Sequence, residues 1–300
     1  MTLAQPAVAL PASPLQRIAP MLFVLLWSTG FIGAKLGLPY AGPMTFLAVR
    51  FLAVAVLTAP FAVLSGALWP RRPALLLHIA VVGLLMQFVY LGGVFIGISR
   101  GVPAGISALI VGLQPILTAA LAGLVLGEKI RPRQWLGLVL GLVGVALVVV
   151  NPALLERDRL GAAGVTIVAM IAITVGTLYQ KRFCTGADLR AAIVIQNAAA
   201  GLAMAPFALM FEPATIEWSP QFIFAIAWLA IVLSLGASML LLYLIRHGAA
   251  SRVTSLFYLT PAVTAVMAFL LFGEKLSPLA LVGMVLAAAG VWAVNSTAKA

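Results

Sequence analysis

The chain of 300 residues is 64% hydrophobic and 8% charged, with a mean hydropathy of +1.17, which excludes an ordinary soluble domain, where about a quarter of residues carry charge. Its net charge of +11 is spread as single basic residues between apolar runs, so a lipid bilayer is the expected partner and nucleic acid is not. The one cysteine, Cys184, excludes an intrachain disulfide and a cysteine metal cage, and neither metal nor cofactor is expected.

Met1 to Pro20 holds four prolines and no basic segment followed by a continuous apolar one. A cleaved signal peptide is therefore not expected, and the first span serves as its own signal. Crossing the hydrocarbon takes about 20 apolar residues. Breaks at Pro, Gly and charges divide the chain into ten such stretches, at 18–38, 43–65, 74–98, 103–126, 133–151, 160–181, 190–210, 220–244, 251–272 and 278–296.

These spans form two copies of one unit. Gly127-Glu128-Lys129 returns as Gly273-Glu274-Lys275, and Arg100, Pro115, Thr118, Pro132, Gly137 and Gly144 return as Arg246, Pro261, Thr264, Pro278, Gly283 and Gly290, each 146 residues on. Between Arg100 and Val148, 18 of 49 positions match at that offset, which marks a duplication. Five spans per copy is an odd number, so the second copy enters the membrane from the opposite side. The predicted fold is an all-α membrane protein of ten transmembrane helices in two inverted five-helix repeats. The expected division is a tail at 1–17, a first repeat at 18–152, a linker at 153–159, a second repeat at 160–296 and a tail at 297–300. Twelve basic residues fall in the segments on the N-terminal side, against Arg100, Arg157, Arg159 and Lys275 on the other. That bias predicts both termini in the cytoplasm. Inverted repeats that exchange conformations give alternating access, so a carrier is expected.

Pro115 and Pro261 lie near the middle of the fourth and ninth spans, where each removes an N–H and strains the helix. Paired helix kinks at the midplane suggest a gate and a cavity wall, with plain packing as the alternative. Gln87, Tyr90, Gln114, Tyr179, Ser238, Tyr258 and Thr260 are polar groups in or near the spans on which hydrocarbon confers no hydrogen bond, so they are candidates to line a cavity. Trp27 and Phe31, one turn apart in the first span, form either a stacking wall or a packed core. Arg50 sits about 10 Å inside the second span; it either snorkels, serves the structure, or holds a substrate carboxylate. Its repeat mate is Gln196. Lys35 and Lys181 read as interfacial anchors, and the Gly-Glu-Lys turns as helix termination. No Asp or Glu lies in the interior of a span, so flux along the substrate's own gradient is expected rather than proton coupling. Gly137 and Gly141, with Gly283 and Ala287 as mates, predict that the fifth and tenth spans pack closely, on each other or on their neighbours.

Leu-Trp-Ser-Thr-Gly-Phe at 26–31, Arg50 in Val-Arg-Phe-Leu, the central prolines and the repeated Gly-Glu-Lys resemble the EamA-type transporters of the drug/metabolite transporter superfamily. The resemblance implies a ten-helix inner-membrane carrier with a cavity lined mainly by spans one, three, four, six, eight and nine, and a monomer is the expected functional unit. It also implies export of amino acids or other small metabolites, with aromatic amino-acid exporters as the version most similar. The chain departs from the four-helix multidrug members in having no glutamate in its first span. Drug, nucleoside or sugar-nucleotide transport remains the alternative within the fold. A membrane enzyme or assembly protein is the alternative outside it, although His78 and His247 lie at different span ends with no carboxylate between them.

Reporter fusions check the orientation. Those after Pro70, Ile130 and Thr185 are expected to report cytoplasm and those after Glu156 and Thr215 periplasm; a periplasmic signal at Ile130 contradicts the inverted repeat.

Overall fold

The computed structural model describes residues 14–126, 132–149, 157–213, 215–237, 239–240, 243–244, 256–275 and 277–295. They form ten helical spans: α1 (Pro14–Gly37), α2 (Pro43–Leu64), α3 (Pro73–Ser99), α4 (Ala104–Val111 continued by Gln114–Leu126), α5 (Pro132–Val149), α6 (Arg157–Phe183), α7 (Leu189–Phe211), α8 (Pro220–Ala237), α9 (the tight turn Phe257–Leu259 continued by Thr260–Phe272) and α10 (Pro278–Asn295). Six of them, α1, α2, α3, α6, α7 and α8, are long and apolar enough to cross a bilayer. Large apolar side chains such as Leu64, Leu209 and Leu270 point outward and exposed, the reverse of a soluble surface and suited to lipid.

Local chemistry sets the boundaries. Proline opens α2, α3, α5, α8 and α10, at the position where its missing N–H costs nothing. Ser219 caps α8 by accepting from Phe222 N at 3.2 Å, and Ser277 does the same for Ala280 N at 3.1 Å. Gly273 ends α9 in the left-handed conformation, φ 67°, as the Gly-Glu-Lys turn requires.

The two copies meet through pairs of equivalent helices. α5 packs on α10, and the contact is symmetric: a Cβ on Gly144 would lie 2.6 Å from Gly283 O, and one on its mate Gly290 would lie 2.6 Å from Gly137 O. Without a hydrophobic drive between helices in lipid, such backbone-to-backbone approach is how helices gain contact. α2 packs on α7 and is tied to it at both ends. At the far face, where α1 finishes, the Glu212 carboxylate accepts from Met44 N, Thr45 N and Thr45 Oγ1, each at 2.8 Å, capping α2. At the near face, where α1 begins, Asp188 accepts from Arg190 N at 2.9 Å and Leu68 N at 3.0 Å. The Arg190 guanidinium, and then the Leu68 N–H, hold the Asp188 carboxyl well below the usual carboxylate range. A depressed carboxylate lends its stability above the unfolded-chain value and loses it as pH falls, so this tie holds at neutral pH.

Replacing Gly144 or Gly290 with leucine is expected to cost at least about 1–3 kcal/mol, the usual overpacking range, because the clash is with backbone. Gly164, whose Cβ position meets nothing within 4 Å, serves as the control. Thermal unfolding in detergent, followed for the three leucine variants, checks this; equal midpoints contradict it.

Candidate functional site

A cavity of about 290 Å³ lies between the two repeats. α1 contributes Trp27, Gly30 and Phe31; α2, Arg50 and Phe51; α3, Met86, Gln87, Tyr90 and Leu91 with Val94 and Phe95; α6, Ile173; α7, Ile193, Gln196 and Asn197; and α8, Leu233 and Ser234. Four repeat-mate pairs face one another here: Trp27 with Ile173, Arg50 with Gln196, Phe51 with Asn197, and Gln87 with Leu233. The axis relating the repeats therefore passes through the cavity, while the chemistry on its two sides differs.

The helices that open this space are not those broken by proline. α3 carries a π segment at Leu84–Val89 and α8 another at Trp228–Ala237, and the mates of 84–89 are 230–235, inside the second. A π turn bonds five residues back and widens the helix, often at functional sites. The Ser234 hydroxyl follows that spacing, donating to Leu229 O at 2.8 Å. A Cβ on Gly83 would lie 2.5 Å from Gln196 O, so glycine lets α3 reach the α7 backbone beside the cavity.

Arg50 does not snorkel. It is 5% exposed, its Nη2 donates to Ser234 Oγ at 3.2 Å, and its guanidinium lies 5.7 Å from the Phe51 ring centre. Its Nε is buried without a partner, as is Gln87 Oε1. Among the described residues, no Asp or Glu lines the cavity. A guanidinium out of water without a counter-charge is costly, which makes the cavity a place where an anionic group is stabilised.

The other sequence candidates lie elsewhere. Gln114 Nε2 donates to Thr177 Oγ1 at 3.1 Å, joining α4 to α6. The Tyr179 hydroxyl and His78 Nδ1 share a hydrogen bond of 2.7 Å, and both rings pack on Phe183 where α6 ends. Thr260 is buried, and its carbonyl accepts from Ser28 Oγ at 3.4 Å. Ser238 and the Tyr258 side chain fall outside the described residues. Pro115 and Pro261 stand in the first turn of the second halves of α4 and α9, as the symmetry requires. However, Pro261 packs on Gly112, where a Cβ would lie 2.9 Å from Pro261 Cγ, so the two breaks meet each other rather than the cavity. Among the described residues, α2 and α7 line it where α4 and α9 were expected. Trp27 fits both of its readings, lining the cavity while packing against Phe23 and Phe257 at 5.3 and 5.2 Å.

Lys35 is a second correction. It forms an ion pair with Glu274 and lies 4.8 Å over the Phe272 ring, so it is no lipid anchor. Glu274 Oε1 also accepts from Ala104 N at 3.2 Å, the first N–H of α4. The carboxylate is 10% exposed, enclosed by these partners. Glu128, its mate, lies outside the described residues. Trp27, Phe31 and Lys35 follow at four-residue steps on one face of α1, a stripe running from the cavity to this ion pair. The pair thus holds α1, α4 and the α9–α10 turn together at the far face.

The EamA-like transporter family matches residues 18–150 and 160–296, one match per repeat. The chain belongs to the EamA-like transporter family. It is 30% identical over 254 residues, 84% of this chain and 81% of the relative, to an uncharacterized inner membrane transporter, YedA, of Escherichia coli (strain K12). It is 27% identical over 285 residues, 91% and 92% of the two chains, to a probable amino-acid metabolite efflux pump of Salmonella typhimurium. A crystal structure of a protein with 16% identity and a TM-score of 0.67, covering 96% of this chain and all of that one, shares the fold. This EamA-like transporter is thus a multi-pass membrane protein that moves small molecules, and not an enzyme.

Removing the far-face ion pair is expected to open that face. With Cys184 replaced by serine and a cysteine placed at Ile193, Glu274→Gln is expected to raise labelling by an impermeant thiol reagent added from the Lys35 side. The rise expected is about tenfold, as loss of one charged hydrogen bond allows. An unchanged rate contradicts the geometry.

Proposed function

We propose that this carrier exports neutral amino acids, aromatic ones included, across a bacterial inner membrane, with both termini in the cytoplasm and a single copy as the transport unit. The observation that carries the reading is Arg50: a buried guanidinium in the cavity with no acidic side chain among the described residues of the lining. A substrate carboxylate is its natural partner, since charge-assisted and bidentate pairing with Arg is among the strongest polar contacts. Trp27, Phe31 and Phe51 offer the apolar and aromatic surface a neutral side chain needs, with Gln87 and Tyr90 as polar contacts. Relatives named as probable amino-acid metabolite efflux pumps, from Salmonella typhimurium and from Escherichia coli (strain K12), support the same class.

The alternatives fit less well. The volume of about 290 Å³ stands at the small end of ligand pockets, which run from about 300 to 1,000 Å³, and is small for a sugar nucleotide. Arg50 repels a lipophilic cation. With no carboxylate among the described residues of the cavity lining to bind and release a proton, flux follows the substrate's own gradient.

Proteoliposomes loaded with labelled phenylalanine, leucine, a nucleoside or a lipophilic cation test this. Saturable amino-acid efflux without an imposed pH gradient is expected. It should fall at least tenfold in Arg50→Gln and recover in part in Arg50→Lys, which restores charge but not the planar fork. Equal flux in Arg50→Gln, or transport of the cation alone, contradicts the reading.

A further inference from the structure

Placing a carboxylate on Arg50 leaves the other pole of an amino acid, its protonated α-amino group, without an anionic partner among the described residues of the cavity. Two buried polar atoms of the lining have no protein partner: the donor Arg50 Nε and the acceptor Gln87 Oε1. An amino-acid zwitterion presents the complement of both, carboxylate oxygens and N–H donors. Two other polar side chains of the lining are already engaged. Asn197 Nδ2 donates to Ile193 O at 2.8 Å, and Ser234 Oγ donates to Leu229 O and accepts from Arg50. Leaving a buried acceptor unpaired costs about 1–3 kcal/mol, so its persistence here needs an account.

We propose that Gln87 is a specificity-determining residue that accepts a hydrogen bond from the substrate's α-ammonium group, so that the cavity selects zwitterionic α-amino acids over the corresponding amines and over acids lacking the amino group. The inference rests on the Arg50–carboxylate reading above. A neutral acceptor suits this position physically. A carboxylate beside Arg50 would pair with it in the empty carrier and compete with substrate, whereas an amide carbonyl cannot neutralise the guanidinium and leaves it available. Gln87 stands within the α3 π segment, Leu84–Val89, and its repeat mate is Leu233, so at this position an acceptor is present on one side of the axis only. The cavity thus has a direction, with the positive charge and the unpaired buried acceptor both supplied by the first repeat.

The test uses three probes sharing one ring, phenylalanine, 3-phenylpropionate and 2-phenylethylamine, binding to the purified full-length carrier. A parallel aliphatic set consists of leucine, 4-methylpentanoate and 3-methylbutylamine. In the unaltered protein the amino acid is expected to bind about tenfold or more tighter than the acid lacking its amino group, the range for a hydrogen bond to a charged group. In Gln87→Leu that advantage is expected to vanish while affinity for the des-amino acid holds within about twofold, which also reports an intact fold. Gln87→Asn, a shorter amide, is expected to restore part of the preference. Equal affinity of the unaltered carrier for amino acid and des-amino acid overturns the proposal without any variant. So does an equal loss of both in Gln87→Leu, while leaving the Arg50 reading intact. Amine bound as tightly as amino acid overturns the Arg50 reading itself, and no binding by either set overturns both.

Discussion

Hydrocarbon offers no hydrogen bond to a polar side chain or to an interrupted helix, and that constraint governs where the informative residues of this chain lie. Thr58, Thr166 and Thr174 meet it by donating to carbonyls one turn back, Val54 O, Ala162 O and Met170 O, at 2.7, 3.1 and 2.8 Å. The breaks in α4 and α9 meet it by packing Pro261 on Gly112, and the Phe257 carbonyl, deprived of its usual partner by Pro261, accepts from Thr260 N in the tight turn. Of the buried polar atoms left without a protein partner, Arg50 Nε and Gln87 Oε1 belong to the cavity on the axis between the repeats, beside the two π segments, whereas Ser107 Oγ, Thr118 Oγ1, Thr260 Oγ1 and Glu274 Oε2 belong to residues outside its lining.

Symmetry and its violation divide the work. The α5–α10 contact is shared by both copies, since the Gly144 and Gly290 approaches are equivalent, whereas the carboxylates that clamp α2 to α7, Glu212 at one face and Asp188 at the other, both come from the second copy. The copies diverge again in the cavity lining. Arg50 faces Gln196 and Phe51 faces Asn197, so a frame able to exchange two equivalent shapes encloses a site with one charged side. That combination serves a carrier: equivalence permits alternating access, and asymmetry gives the substrate an orientation.

Much of the frame was legible because its causes are local. Hydropathy with proline at first helical positions placed the second span at 43–65 and the last at 278–296, against Pro43–Leu64 and Pro278–Asn295 in the structure. The spacing of Gly137, Gly141 and Gly283 announced a close-packing face on α5 and α10, and the structure shows that the two faces meet each other. The cavity was only half legible. Proline is a visible break, so it drew the site toward α4 and α9. A π turn in a segment apolar on every face leaves no periodicity to read, so the wider turns of α3 and α8 went unseen. The equal register of Arg50 and Gln196, two polar residues at mate positions inside spans, was the available signal for α2 and α7. The Lys35–Glu274 pair joins residues 239 apart in sequence. Its glutamate does end a helix as the turn pattern implied, but no local pattern shows where the carboxylate reaches.

The central claim is that one cavity on the repeat axis opens to each face in turn. Asn197→Cys, in protein with Cys184 replaced by serine, tests it most directly by labelling with an impermeant thiol reagent from either side of oriented vesicles. The account predicts reaction from both faces, each slowed by transported substrate. Labelling from one face only in an actively transporting protein, or labelling indifferent to substrate, would contradict it.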